Sequence, residues 1–256
     1  MATAAMHVVE YDALVFRKSW RSALFVSLIQ PLFFLTAMGL GLGGLVRGGR
    51  AAVDGVTYLH FLAPGMLATT AMQNAAVETT YPIMARLQWQ HIYEAMLNTP
   101  LRVRDLLAGE MSWLTLRIAG TAVVFFAVAA AFGAVVSPFG LLAIPVAILT
   151  GLAFGTPIFA FTATQRNDAG FNAINRFIVV PLFLLGGAFF PITQLPRVLQ
   201  GIAWCTPLTH GVTLCRDLLL GRAGFPSSLA HLAVLLVYTV AGLVAAAFAY
   251  RRRLRV

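Results

Sequence analysis

Apolar residues along this chain fall in long unbroken runs rather than in alternation. Six runs stand out: Ser22–Val46, Tyr58–Thr80, Met111–Val136, Pro138–Thr162, Phe171–Phe190 and Leu229–Tyr250. Each holds about 20 residues or more, the length a helix needs to cross a hydrocarbon core of ~30 Å. Membrane-spanning strands would alternate with period two over shorter stretches. These runs are continuous and rich in Leu, Ala, Val and Phe, so they predict helices. Asn172, Asn175 and Arg176 crowd the start of the fifth run, which is the least regular of the six.

The stretches between the runs carry their own patterns. Near the N-terminus, Val9, Ala13, Phe16 and Trp20 share a helical face with Arg17, Lys18 and Arg21 beside it. This favours an interfacial helix over residues 1–21 rather than a plain lead-in. Glu10 and Asp12 stand where a signal peptide would be positive, so no cleaved leader is expected. Between the second and third runs, Trp89, Ile92, Tyr93, Met96 and Leu97 recur at i, i+3, i+4, i+7 and i+8, with Gln88, Gln90, His91 and Glu94 between them. Thr99 and Pro100 then read as an N-cap and a first-turn proline, opening a second helix through Ala108. A helix pair over about 86–108 suits a partner's groove and a lipid surface equally well.

After the fifth run, residues 191–226 are apolar but too broken to span. Pro196–Trp204 forms one short helix; Thr206 and Pro207 open another, which Gly221 ends. At 1.5 Å per residue they reach roughly 14 and 20 Å. A re-entrant hairpin before the sixth run is the reading that fits, its polar break covered by protein or water. Cys205 and Cys215 both lie in it, and two unpaired, packed thiols are favoured over a disulfide.

Composition excludes whole classes of function. The chain is 59% hydrophobic and 11% charged, whereas soluble domains are about 45–50% apolar and about 25% charged, so a soluble enzyme is ruled out. The net charge of +9 is spread between apolar runs and makes no nucleic-acid face. It marks orientation instead. Thirteen of the 18 Lys and Arg residues fall on one side: Arg17, Lys18, Arg21, Arg86, Arg102, Arg104, Arg117, Arg166, Arg176, Arg251, Arg252, Arg253 and Arg255. Arg47, Arg50, Arg197, Arg216 and Arg222 fall on the other. Cytoplasmic loops hold the excess, which places both termini in the cytoplasm.

The chain carries little catalytic chemistry. Gly39, Gly41 and Gly44 satisfy G-x-G-x-x-G, but they end a membrane run rather than follow a strand, and tight helix packing accounts for them. The single lysine, Lys18, follows no glycine-rich turn, so there is no Walker A loop. His7, His60, His91, His210 and His231 show no metal-ligand spacing. No catalytic residue, cofactor site or metal site is expected. Polar residues inside the runs are the candidates for a pathway, because burying them in lipid is costly: Gln30, Gln73, Asn74, Asn172 and Asn175. Gln73 and Asn74 project about 100° apart, so at most one of them should face a pathway directly. Glu78 and Arg117, near one membrane edge, are a candidate structural pair.

The order of these elements, with the segments YLHFLAPGMLATTAMQNAAVETTYPIMARL, IYEAMLNTPLRVRDLLAGEMSW, GGAFFPITQLPRVLQGIAWCTPLTH and the RRRLR tail, resembles the permease subunits of type-2 ABC transporters. It is most similar to permeases of nodulation lipo-chitooligosaccharide exporters and related polysaccharide and drug exporters. The resemblance implies an all-α integral membrane protein, one permease domain over 1–256. It would have an N-terminal interfacial helix, six transmembrane helices (spans 1–5 within 22–190, span 6 and basic tail within 227–256), a cytoplasmic coupling helix and an outer re-entrant hairpin. Trp89, Ile92, Tyr93, Glu94, Met96 and Leu97 would then couple to an ATPase.

The implied function is export of an amphipathic substrate (glycolipid, lipo-oligosaccharide, polysaccharide or drug) across a bacterial cell membrane. Two ABC ATPase subunits, holding ATP and Mg, and a second permease copy or related chain would be its partners. No cofactor would sit on this chain. An ATP-independent secondary transporter or drug efflux protein is the alternative, and would call for internal repeats and midplane ionisable residues; none is apparent.

Overall fold

The computed structural model describes residues 2–42 and 55–254, and every regular element among them is a helix. The chain opens with α1 (Ala2–Phe16). A turn at Arg17–Ser19 leads into α2 (Trp20–Phe34), which continues as a π-helical stretch, Leu35–Leu42. The expected extension of this first span to Val46 lies outside the described residues, as does Gly44 of the glycine motif; Gly39 and Gly41 sit in the π-helical stretch. Next come α3 (Tyr58–Glu78), a short α4 (Tyr81–Met84) running into a π turn at Ala85–Trp89, and α5 (Ile92–Leu97). Then follow α6 (Val103–Ala131), a 3-10 turn at Pro138–Leu142 and α7 (Ala143–Thr164). Beyond these lie α8 (Ala169–Ile174), a π turn at Asn175–Val179 and α9 (Val180–Leu185). The chain ends with α10 (Arg197–Trp204), α11 (Pro207–Leu220) and α12 (Phe225–Arg253).

Among the described residues, four helices are long and apolar enough to cross a membrane: Trp20–Ala37, Val103–Ala131, Pro138–Thr164 and Pro226–Arg253. The other two expected runs are also helical. α3 has 21 residues, ~31 Å of rise, but carries more polar side chains. Ala169–Leu185 is a shorter apolar segment broken by its π turn. Large apolar side chains stand exposed on the outside, among them Phe25 and Phe33 on α2, Val123 on α6 and Val244 and Phe248 on α12. A patch of this extent belongs against lipid or another protein, and the chain is an integral membrane protein.

α7 is the hub, packed against α3, α6, α11 and α12. Small residues let the backbones approach. A Cβ on Gly242 of α12 would meet Thr156 Oγ1 at 2.2 Å and the Pro157 nitrogen at 2.7 Å. At this crossing Thr156 Oγ1 donates to the Thr239 carbonyl at 3.2 Å, and further along α7 Thr162 Oγ1 donates to the Thr79 carbonyl at 2.7 Å. Such bonds between helices spare a hydroxyl the cost of facing lipid.

Three local expectations change. α1 does not present Val9, Ala13, Phe16 and Trp20 as one stripe, because the helix ends at Phe16 and Trp20 starts α2. Its packed face is Val8 and Asp12, with Val8 filling the space over Gly109 of α6. The separate helix expected to open at Thr99–Pro100 does not form. Thr99 Oγ1 instead donates to the Met96 carbonyl at 2.6 Å, closing α5. The next helix starts at Val103, with the Asp105 carboxylate accepting from the Arg102 backbone nitrogen at 3.2 Å, and it runs unbroken to Ala131. The helix expected from Trp89 is interrupted by His91, whose φ of 51° is left-handed, so α5 begins only at Ile92.

Candidate functional site

Two polar assemblies interrupt the apolar packing. The first is a groove of about 420 Å³ between α2, α3 and the α8–α9 segment. Gln30 reaches it from α2, Thr70, Gln73 and Asn74 from α3, Tyr81 from α4, and Asn172 and Asn175 from α8 and the turn after it. All five amide residues chosen as pathway candidates therefore border one space. Gln30 Nε2 donates to Gln73 Oε1 at 3.3 Å, and Tyr81 Oη donates to Asn172 Oδ1 at 3.4 Å. Thr70 Oγ1 is buried without a hydrogen-bond partner among the described residues. Val77, Phe171, Ile174, Val179 and Val180 supply the apolar wall, and no lining side chain carries a formal charge at neutral pH. The space offers donors and acceptors beside apolar surface without selecting a charge. Gln73 and Asn74 both border it, because the groove wraps that side of α3. Tyr81, at the start of α4, and Thr70, within α3, went unnoticed in the sequence, where neither residue type stands out.

The second assembly lies under the loop between α3 and α6. Arg86 Nη1 donates to both carboxylate oxygens of Glu110, at 2.8 and 2.9 Å. Its Nη2 stands 2.7 Å from Asp12 Oδ1. The contact is an ion pair rather than a well-formed hydrogen bond. One guanidinium thus serves two buried carboxylates from different helices. Burial, together with the neighbouring Glu110 charge, raises the Asp12 pKa to about 7, partly offset by Arg86. Although burial disfavours its charge, the Arg86 guanidinium is held protonated chiefly by Glu110.

Tyr93 of α5 is fully buried in this region, its ring 6.3 Å from that of Tyr250 on α12, and Tyr250 stacks on Phe159 of α7 at 4.4 Å. Burial pushes the Tyr93 phenol well above its ordinary pKa. Tyr93, which the resemblance implied as part of the coupling element, is thus enclosed in this structure rather than presented on its surface. It anchors α5 to the C-terminal ends of α7 and α12. Of the other residues in that set, Trp89 and Glu94 are exposed, while Ile92, Met96 and Leu97 are half-buried. His91 Nδ1 lies 3.1 Å from Glu94 Oε2 on the exposed side.

Beside this assembly Arg117 Nε donates to Glu78 Oε1 at 2.9 Å, tying α6 to the end of α3. Two of the five histidines meet, contrary to their scatter in the sequence: His210 Nδ1 lies 2.8 Å from His231 Nδ1, and His210 Nε2 lies 2.9 Å from the Trp204 carbonyl. No cluster of three or more His, Cys, Asp or Glu suited to a metal occurs among the described residues. Both cysteines are free thiols; Cys215 is buried, but Cys205 is exposed rather than packed.

Comparison with known proteins agrees with this architecture. A family model described as ABC-2 type transporter matches residues 5–220. Nodulation protein J of Rhizobium leguminosarum bv. trifolii is 38% identical over 240 residues, covering 92% of this chain and 90% of that protein. Nodulation protein J of Rhizobium meliloti is 35% identical over 243 residues, covering 94% and 90%. The inner membrane transport permease YadH of Escherichia coli is 21% identical over 215 residues, covering 84% and 83%. With the family match spanning most of its length and relatives above 30% identity, this chain belongs to the ABC-2 type transporter permeases.

Proposed function

We propose that this chain is the membrane half of an ATP-driven exporter in a bacterial inner membrane. Its cargo is an amphipathic molecule with a neutral, hydroxyl- or amide-rich head, such as a lipo-oligosaccharide. The observation that carries the reading is the groove in which Gln30, Gln73, Asn74, Asn172 and Asn175 converge beside an apolar wall. Uncharged amides can donate to and accept from sugar hydroxyls, and the wall suits an acyl tail.

In this reading α2, α3, α6, α7, the α8–α9 segment and α12 are six spans, and both termini face the cytoplasm. α10 and α11, with 8 and 14 residues, rise about 12 and 21 Å and form a re-entrant hairpin from the outer side. Trp89, Glu94 and the accessible edges of Ile92, Met96 and Leu97 meet a separate ATPase chain, two copies of which bind ATP and Mg. Two permease chains pair around the pathway. Closure of the ATPases on ATP pushes α5, and Tyr93 passes that push to α7 and α12.

The test uses this permease co-purified with its partner ATPase. Uptake of a fluorescent lipo-chitooligosaccharide into inverted vesicles should require ATP. Gln30→Ala with Asn172→Ala should lower uptake at least tenfold while ATPase co-purification persists. Trp89→Ala with Glu94→Ala should instead weaken co-purification. Uptake that continues without the ATPase would replace this reading with a secondary transporter.

A further inference from the structure

We propose that the junction of α1, α2 and α6 is a binding site for one anionic glycerophospholipid of the cytoplasmic leaflet. Its leaflet assignment rests on the orientation given under Proposed function. A groove of about 360 Å³ opens there, within the roughly 300–1,000 Å³ typical of small-molecule sites. Its walls are almost wholly apolar: Phe16, Trp20, Leu24, Trp113, Leu116 and Gly120. Trp20, Leu24 and Leu116 are exposed although large and hydrophobic. Something apolar covers them, and a groove of this section suits a hydrocarbon chain.

The rim decides which molecule that is. Arg17, Lys18 and Arg21 sit in and next to the turn between α1 and α2, all exposed, with no ion-pair partner among the described residues. Arg17 directly follows the wall residue Phe16, and the Arg21 guanidinium lies 5.6 Å from the ring centroid of the wall residue Trp20. Arg117, the one cation inside the groove, is already committed to Glu78 and to the Phe16 ring. The charge left open is therefore at the mouth, three cations wide, above an apolar slot. Tryptophan at this depth is typical of the membrane–water interface. A phosphate headgroup at the rim with its acyl chain along Leu24, Leu116 and Gly120 satisfies both halves. A second protein chain would leave the cations uncompensated unless it brought acidic residues, and a zwitterionic lipid would compensate them only in part.

Gly120 offers a clean perturbation, because a Cβ there would meet nothing within 4 Å. Gly120→Leu therefore projects from an open position into the groove, and leucine is a better helix former than glycine. The purified permease, delipidated in detergent, would be titrated with dioleoyl phosphatidylglycerol or dioleoyl phosphatidylcholine, with bound lipid read by native mass spectrometry. The expected result is one tightly held phosphatidylglycerol, at least tenfold preferred over phosphatidylcholine. Each rim cation is worth about fivefold toward an anionic surface, so Arg17→Gln with Lys18→Gln and Arg21→Gln should abolish the preference. Gly120→Leu should reduce retention of both lipids while its melting temperature stays equal to or above that of the parent.

Equal retention of the two lipids, undiminished binding by Gly120→Leu, or displacement by free glycerophosphate alone would overturn the proposal. So would a slot found occupied by a second permease chain in cross-linking. Lipid binding is read without ATP or ATPase, so a failed transport reading leaves this result standing, and a failed lipid result leaves transport standing.

Discussion

Replacing Arg86 by glutamine removes the only cation among the described residues that pairs with Asp12 and Glu110. The Arg86 side chain is 15% exposed, those of Asp12 and Glu110 are 0% and 3% exposed, and Glu110 loses both of its guanidinium hydrogen bonds. Breaking a buried pair by deleting one partner costs about 3–5 kcal/mol, because a charge is left without compensation. For a chain of this size each kcal/mol moves the melting temperature by about 2–4 °C, so Arg86→Gln should melt roughly 6–20 °C lower. The size of the effect comes from the orphaned carboxylate rather than from the lost pair. Arg86→Gln combined with Glu110→Gln, which leaves two neutral amides able to bond each other but Asp12 still without its cation, should therefore recover part of the fall. Fluorescence-monitored melting in detergent, with a double-mutant cycle over the four proteins, reads both numbers. A single variant within about 2 °C of the parent would refute the reasoning, as would a double variant no more stable than the single.

Two further outcomes follow from the same geometry. Asp12 has a folded-state pKa of about 7 against an ordinary 3.8, so the folded chain holds more protons than the unfolded one between those values. Its contribution to stability falls as pH rises through that window and is level above it; melting temperature should drop from about pH 5 to about pH 8, and Asp12→Asn should flatten the slope. Equal slopes in the two proteins would exclude Asp12 as the cause. At the α7–α12 crossing, Gly242→Val would drive a side chain against the Pro157 backbone nitrogen, costing about 1–3 kcal/mol by overpacking; a Gly242→Val protein that melts like the parent would show that the helices separate there freely.

Elements with local signals were legible along the chain. α11 starts at Pro207 after Thr206 and stops at Gly221, whose φ of 69° is the left-handed cap that glycine accommodates. Long apolar helices were equally plain, since continuous runs need no knowledge of neighbours. What escaped was pairing at a distance. Asp12 served only to argue against a signal peptide and Arg86 only as one more cytoplasmic charge, yet they meet Glu110 from two other elements. The one available hint was a carboxylate four residues after Val8, on the face of α1 that packs. Tyr93 escaped in a different way. Periodicity marks an apolar face but not what covers it, and the left-handed turn at His91 puts Trp89 and Tyr93 out of phase, leaving one exposed and the other enclosed.

α12 is a single helix of 29 residues, about 43 Å from end to end. Near one end Tyr250 is wedged between Phe159 and Tyr93; at mid-length Tyr238 Oη donates to the Cys205 carbonyl at 2.6 Å, and toward the other end His231 touches His210. The protein is thus built with a strut whose two ends are gripped by different parts of the fold. A strut cannot be displaced at one end alone. A tilt of about 5° around its middle carries each tip roughly 2 Å in opposite directions and His231, about 12 Å from the middle, roughly 1 Å, so a displacement of the small helix holding Tyr93 reappears, reduced and reversed in sense, where His231 meets His210 on α11.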